Sequence, residues 1–348
     1  MKLNNSYLQS KDKESEMLQG VSRSFALTIP QLPPPLRGTV TNGYLLCRIA
    51  DTIEDEENLS IEQKSFFFHR FIEVLEGKAQ ASEFAAALFP LLSEWTLPAE
   101  KQLIRNAPFV FEKTFSFSHK NRVALQRCAT IMARGMQRFQ GIKSLNGLND
   151  LSQLDSYCYY VAGVVGELVT ELFCEYSKEI SVKRDQLFQL APSFGQGLQM
   201  TNIMKDLWDD RNRGVCWLPK DVFEREGFDL KSLSPGKYVP SFGKGVAQLI
   251  GIARAHLGNA LLYSLLIPNH EIGIRKFCLW AIGMAIFTLK NINKRPYYSS
   301  GSEVKISRRT LRTILTVANM ALRNNPLLKG LFRITTLSLP ANEICQKT

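Results

Sequence analysis

Apolar residues recur along this chain three and four positions apart, and strand-like alternation is almost absent. The pattern predicts a succession of helices. Residues 22–26 open an apolar segment that Pro30 ends. Pro33, Pro34 and Pro35 cannot lie inside a helix, but Pro35 can open one in its first turn, so a helix is expected from Leu36 to Glu57. Ser60 and Gln63 have capping-box spacing and start another. Helical patterns follow over 82–95, with a break at Pro90, and over 98–117, 122–139 and 154–176. The last carries Ala162, Gly163 and Gly166, small enough for a neighbour to approach the backbone. Residues 183–210 read as one helix kinked or interrupted near Pro192 and Gly195, and residues 234–243 as a loop. Three more helices are expected over 246–266, 273–292 and 307–323, while residues 1–16 should fray. The fold class is all-α, a helical bundle around a central apolar cavity. Its expected organisation is one domain over 21–330, between a flexible segment 1–20 and a tail 331–348.

Two polar stripes interrupt this apolar pattern. Tyr44, Arg48, Asp51 and Asp55 fall on one helical stripe, and Gln199, Asn202, Asp206 and Asp210 on another. Each ends in three carboxylates at i, i+3 and i+4: Asp51, Glu54 and Asp55, then Asp206, Asp209 and Asp210. Carboxylates so spaced share a helix face and repel by a few tenths of a kcal/mol per pair. A single such triplet is usually a solvated face. Two with matching spacing in apolar surroundings point instead to a cavity that holds hard cations through oxygen ligands. Mg²⁺ completes its shell with waters and phosphate oxygens, so the expected chemistry is ionisation of an allylic diphosphate. Arg23, Arg48, Lys205, Arg211 and Arg213 could complete the anion site, and Phe25, Tyr44, Tyr157 and Val161 could line it for a carbocation.

Composition narrows the partners. The chain has 348 residues, 45% hydrophobic and 22% charged, which is ordinary for a globular protein. Its formal net charge of +11 favours anionic partners, yet no dense Lys/Arg run with interleaved aromatics appears, so nucleic acid is not expected. Seven scattered cysteines without Cys-x-x-Cys pairs read as reduced and structural, and the four histidines lack metal-site spacing. The polar start has no signal-peptide core, and the longest apolar run, 277–289, is too short to span a bilayer. The expected location is therefore cytoplasmic, at most peripheral on a membrane's cytoplasmic face, with no transmembrane helix.

Four segments together resemble the squalene/phytoene synthase family, its squalene synthases in particular: Ser22-Arg-Ser-Phe-Ala26, Tyr44-Leu-Leu-Cys-Arg-Ile-Ala-Asp-Thr-Ile-Glu-Asp55, Tyr157-Cys-Tyr-Tyr-Val-Ala-Gly-Val-Val-Gly166 and Gln199-Met-Thr-Asn-Ile-Met-Lys-Asp-Leu-Trp-Asp-Asp210. A weaker match is Glu303-Val-Lys-Ile306. The resemblance implies an isoprenoid-synthase-type bundle. It implies head-to-head condensation of two farnesyl diphosphates through a cyclopropyl intermediate, presqualene diphosphate, then NADPH-dependent reduction to squalene. By resemblance, Asp51, Glu54, Asp55, Asp206, Asp209 and Asp210 are metal ligands, and Tyr157 handles a proton. Ser22, Arg23, Ser24, Phe25, Tyr44, Arg48, Val161, Val165, Gln199, Asn202 and Arg213 bind substrate; Arg48, Asn202, Lys305 and Arg308 bind NADPH. Contact with a membrane surface for product release is compatible with this, and no obligate protein partner is implied. Lys205 stands where Arg is common, and Arg213-Gly214-Val215 departs from the usual Gly-Arg. A phytoene or dehydrosqualene synthase would share the condensation without the reduction. An inactive helical protein that binds lipid is the alternative of another class.

Overall fold

The computed structural model describes residues 13–237 and 239–341, and among them there are helices and turns but no strand. The chain divides into two compact units, residues 1–141 with 168–181, and residues 142–167 with 182–348.

The first unit follows the sequence closely. Pro34–Asp55 is one unbroken helix with prolines in its first turn. Ser60 caps Ile61–Leu75 with both hydrogen bonds of a capping box. The chain breaks at Pro90, where Ala81–Leu88 passes into the 3₁₀ turn Phe89–Leu91. The pattern over 98–117 divides in two, Pro98–Arg105 and Ala107–Ser116, because Pro108 suits a first turn better than an interior. Both Pro34–Asp55 and Ile61–Leu75 pack on His119–Gln140. Phe67, Phe71, Phe84 and Phe111 interlock in this core with centroids 5.5–6.3 Å apart. Buried Asn42 fixes the rotation of the 34–55 helix: its Nδ2 donates to Val110 O at 2.8 Å and its Oδ1 accepts from Thr114 Oγ1 at 2.8 Å. Residues 13–21 are helical rather than frayed, anchored by buried Met17 and Leu18.

The second unit departs from expectation in two places. The pattern over 154–176 is interrupted: Leu151–Cys158 passes through one turn of π-helix, Tyr159–Gly163, before Val164–Tyr176. The helix expected to be kinked or interrupted at Pro192 is not interrupted there: it continues through it, as Arg184–Lys205. The small residues around Pro192 allow a close seat. A Cβ on Gly195 would lie 2.0 Å from Ala162 O, and one on Gly166 would lie 2.0 Å from Ala191 O. The break comes at Asp206, after which Leu207–Asn212 forms a new short helix. There the carbonyl of Met204 accepts a hydrogen bond from the Tyr298 hydroxyl, and the carbonyl of Lys205 faces Gly301. Pro240–Leu266 packs along Arg184–Lys205, beginning at Pro240 within the expected loop. Ile272–Lys294, Gly301–Val304, Arg308–Ala321 and Asn325–Thr336 complete the unit. Six cysteines are free and buried, as expected, and Cys345 lies outside the described residues.

The expectation of a cytoplasmic chain with no segment able to cross a membrane is corrected. Among the described residues, three helices are long and apolar enough to do so, by length and composition: Leu151–Tyr176, Pro240–Leu266 and Ile272–Lys294, of 26, 27 and 23 residues. A 23-residue helix rises about 35 Å, more than a hydrocarbon core of about 30 Å. Counting uninterrupted apolar residues stopped at 277–289 because Lys276 and Lys290 flank that run, whereas the helix itself continues on both sides.

Candidate active site

The first acidic stripe sits on Pro34–Asp55. Arg48 Nη1 donates to Asp51 Oδ2 at 2.8 Å, and Arg48 Nη2 donates to Glu100, which the Pro98–Arg105 helix presents in its first turn. Three carboxylates, Asp51, Asp55 and Glu100, thus bear on one guanidinium. Burial raises the Asp51 carboxyl to about 6; Arg48 opposes this, while Asp55 and Glu100 add to it. Burial alone would lower the Arg48 guanidinium, but Asp51, Tyr44, Glu100 and Asp55 outweigh it and hold the charge in place. Arg48 Nε is buried and has no hydrogen-bond partner in the structure.

The motif at 22–26 meets this stripe. The Phe25 and Tyr44 rings lie 5.2 Å apart, tilted by 44°, and Tyr44 Oη donates to Val21 O at 3.3 Å. Ser22 Oγ caps the turn by accepting from Phe25 N at 3.0 Å, whereas Arg23 and Ser24 are exposed. Glu54 behaves differently from its neighbours. It is 5% exposed and accepts from Gln140 Nε2 at 3.4 Å, while Lys64 Nζ donates to its backbone carbonyl at 2.7 Å.

The second stripe straddles the helix break. Exposed Asn202 accepts from Lys205 Nζ at 3.0 Å, and the same ammonium pairs with Asp206 Oδ2 at 3.1 Å. Asp210 is 8% exposed and pairs with Arg213 Nη2 at 2.6 Å. Asp209 is exposed, and Gln199 and the valines Val161 and Val165 are half-buried. Arg211, counted above among the anion-site cations, instead donates to three backbone carbonyls, those of Leu145, Leu230 and Leu233.

The structure also brings the C-terminal segment to this cluster. Trp208 Nε1 donates to Tyr298 O at 2.6 Å. A Cβ on Gly301 would lie 2.8 Å from Lys205 O, 3.4 Å from Asp206 Oδ1 and 3.7 Å from Asp209 Oδ2. Asn291 Nδ2 holds the carbonyls of Val304 and Lys305 at 3.1 and 3.3 Å, and Lys305 and Arg308 are exposed beyond them. Tyr298, Gly301 and Glu100 escaped the sequence reading, since none belongs to a spaced acidic or aromatic pattern. Among the described residues, no three His, Cys, Asp or Glu side chains converge so as to hold a metal ion by themselves.

Tyr157 is 4% exposed, at the end of Leu151–Cys158 and next to the π-turn. Its ring stacks on Trp217 with centroids 3.9 Å apart and planes 12° from parallel.

Known proteins with similar sequences or folds agree on one family. A solved TcSQS–ligand complex, 22% identical, superposes with a TM-score of 0.74 over 97% of this chain and 94% of that one. A solved dehydrosqualene synthase in complex with ligand, 21% identical, gives 0.64 over 92% and 98%. These two establish the all-α, squalene-synthase-type fold. Squalene synthase ERG9 of Saccharomyces cerevisiae is 28% identical over 328 residues, 89% of this chain and 69% of that protein. The chain spans 57–69% of the length of the first curated relatives it matches. The family model described as squalene/phytoene synthase matches residues 18–310, a span that takes in both acidic stripes and Tyr157, and the chain therefore belongs to the squalene/phytoene synthase family of prenyltransferases.

Proposed function

We propose that residues 21–330 work as one prenyltransferase domain that joins two farnesyl diphosphates head to head into presqualene diphosphate and reduces it with NADPH to squalene. The observation that carries the reading is the crowding of carboxylates around Arg48: Asp51, Asp55 and Glu100 all bear on its guanidinium, and burial raises Asp51 to about 6, with Asp55 and Glu100 adding to it. A divalent cation would relieve that crowding. Asp51 and Asp55 on the first stripe, and Asp206 and Asp209 beside Gly301 on the second, are the carboxylates fitted to hold Mg²⁺. Mg²⁺ takes only one or two carboxylates and fills its octahedron with waters and phosphate oxygens, so a three-residue protein cage is not required. When bound, it neutralises charge on the departing diphosphate.

The chain's own groups do the rest. Arg48 Nε offers its unmet N–H to a phosphate oxygen. Lys205 and Arg213, each already paired with one aspartate, add positive charge beside the second cluster. Phe25 and Tyr44 present aromatic faces on which an allylic cation is stabilised. Tyr157 Oη carries the proton of the first half-reaction. Glu54, engaged by Gln140 in the core, supports the helix rather than the metal. Lys305 and Arg308 supply cations for the 2′-phosphate of NADPH.

Incubating the purified protein with farnesyl diphosphate and Mg²⁺, with and without NADPH, and identifying the lipid by mass spectrometry tests this. The expected result is presqualene diphosphate without NADPH and squalene with it. The same hydrocarbon under both conditions would mean a dehydrosqualene- or phytoene-type reaction, and no diphosphate release would mean no condensation.

A further inference from the structure

We propose that Trp217 is the positioning residue for Tyr157, fixing the tilt of the phenol so that its hydroxyl is aimed for proton transfer; this rests on the role given to Tyr157 above. The two rings are nearly parallel at 3.9 Å, and both are buried. So close a face-to-face overlap is not what aromatic pairs choose unaided, since their quadrupoles favour offset or edge-on contacts. The backbone imposes it. The segment carrying Trp217 is stitched to the loop ahead of the Tyr157 helix by three bonds: Cys216 N to Ser144 O at 2.9 Å, Leu148 N to Leu218 O at 2.9 Å, and Lys220 N to Leu148 O at 2.7 Å. Gly147 permits that approach. Its φ is +85°, and a Cβ there would lie 2.4 Å from Leu218 O. Arg211 staples the same loop through Leu145 O at 3.3 Å. Lys143 Nζ lies 5.5 Å from the Trp217 centroid, where an ammonium favours the electron-rich indole.

The geometry ties Tyr157 to the second acidic cluster within one unit. Val215 N donates to Asp210 O at 3.0 Å, so the chain runs from an aspartate of the cluster, through one turn, to the indole under the phenol. A ring flip leaves the phenolic oxygen in place, but a tilt of the ring moves it, and a parallel neighbour at 3.9 Å blocks the tilt. Nothing in the sequence spacing marks Trp217, which lies 60 residues downstream of Tyr157.

A mutant cycle on the first half-reaction is the test, run without NADPH by following presqualene diphosphate from farnesyl diphosphate. Trp217→Leu is expected to lower kcat by about 10- to 100-fold with KM within about 3-fold of wild type, the scale of a small misplacement of a reacting group. Trp217→Phe, which keeps a stacking face, should recover most of that loss. The double variant Tyr157→Phe/Trp217→Leu should be no slower than Tyr157→Phe alone, because a residue acting only through the hydroxyl has nothing left to position. Trp217→Met, a second non-aromatic replacement, is carried through the same cycle in case Trp217→Leu does not fold. Effects that multiply in the double variants would overturn the proposal, as would wild-type kcat in both Trp217→Leu and Trp217→Met. Full activity in Tyr157→Phe would overturn the role of Tyr157 itself and the proposal with it, a result read from that single variant alone.

Discussion

The two acidic stripes have the same spacing in sequence and different electrostatics in the structure. Asp51 and Asp55 stand on an unbroken 22-residue helix, where burial pushes Asp51 up to about 6, with Asp55 and Glu100 adding to the effect and Arg48 opposing it. Asp206, Asp209 and Asp210 straddle a break, and there Lys205 and Arg213 each neutralise one aspartate. Identical i, i+3, i+4 spacing therefore fixes which residue types recur but not how their charges are balanced. In the first cluster burial of Asp51 dominates; in the second Lys205 and Arg213 pair with aspartates and a neighbouring segment shapes the cluster.

The largest expected effects test what the stripes share. Asp51→Asn and Asp206→Asn should each slow diphosphate release by at least ~10²-fold at saturating Mg²⁺, the scale of losing one preorganised electrostatic group. Near-normal turnover in one variant, measured by released diphosphate, would show that its cluster is dispensable and break the symmetry.

The next effect separates them. The folded carboxyl of Asp51, at about 6, lies above its ordinary 3.8, so the native state binds the proton more tightly than the unfolded chain. Stability should therefore fall as pH rises from about 4 to 6 and then level, by on the order of 3 kcal/mol at most, at 1.36 kcal/mol per pKa unit. Mg²⁺ should raise the Tm more at pH 7 than at pH 4.5, and Asp51→Asn should flatten both trends. Thermal melts across that range check this; a wild-type profile indistinguishable from that of Asp51→Asn would mean that the crowding is not felt.

Two smaller effects belong to the second stripe and its neighbouring segment. Replacing Lys305 and Arg308 together with Ala should raise the KM for NADPH about 10-fold, the loss of one to two exposed charge-assisted contacts, and leave presqualene diphosphate formation nearly intact. Loss of both half-reactions together would reassign these cations to the fold or the diphosphate site. Gly301→Ala should destabilise the protein by on the order of 1 kcal/mol, because the new methyl would meet Lys205 O at 2.8 Å. Urea denaturation measures it, and an unchanged midpoint would show that the Gly301–Val304 turn yields without strain.

Most of the helical plan was legible because its signals are local. Capping at Ser60, prolines at 34 and 35 and the stop at Pro90 act within one turn of themselves, and the structure follows them. The family was legible for a related reason, since four separated motifs had to coincide. The misreadings arose where a distant residue overrode a local rule. Pro192 looked like a kink or an interruption, yet the helix continues, and Gly163, Gly166 and Gly195 let the π-turn seat against it. The helix breaks at Asp206, where Tyr298, ninety-odd positions away, takes the carbonyl of Met204. Membrane-crossing length was underestimated because helix ends, not apolar runs, set it.

The sequence by itself determined the helical class, the two acidic stripes, the reduced cysteines and the family. These follow from side-chain periodicity and from residue identity, which do not depend on the neighbours. Only the tertiary structure decided that Glu100 joins Arg48, that Arg211 is a staple rather than an anion ligand, that Gly301 lies against Asp206, and that Trp217 lies under Tyr157. Each is a contact between residues far apart in the chain, closed by burial and backbone hydrogen bonds, and spacing along one helix carries no information about such a contact.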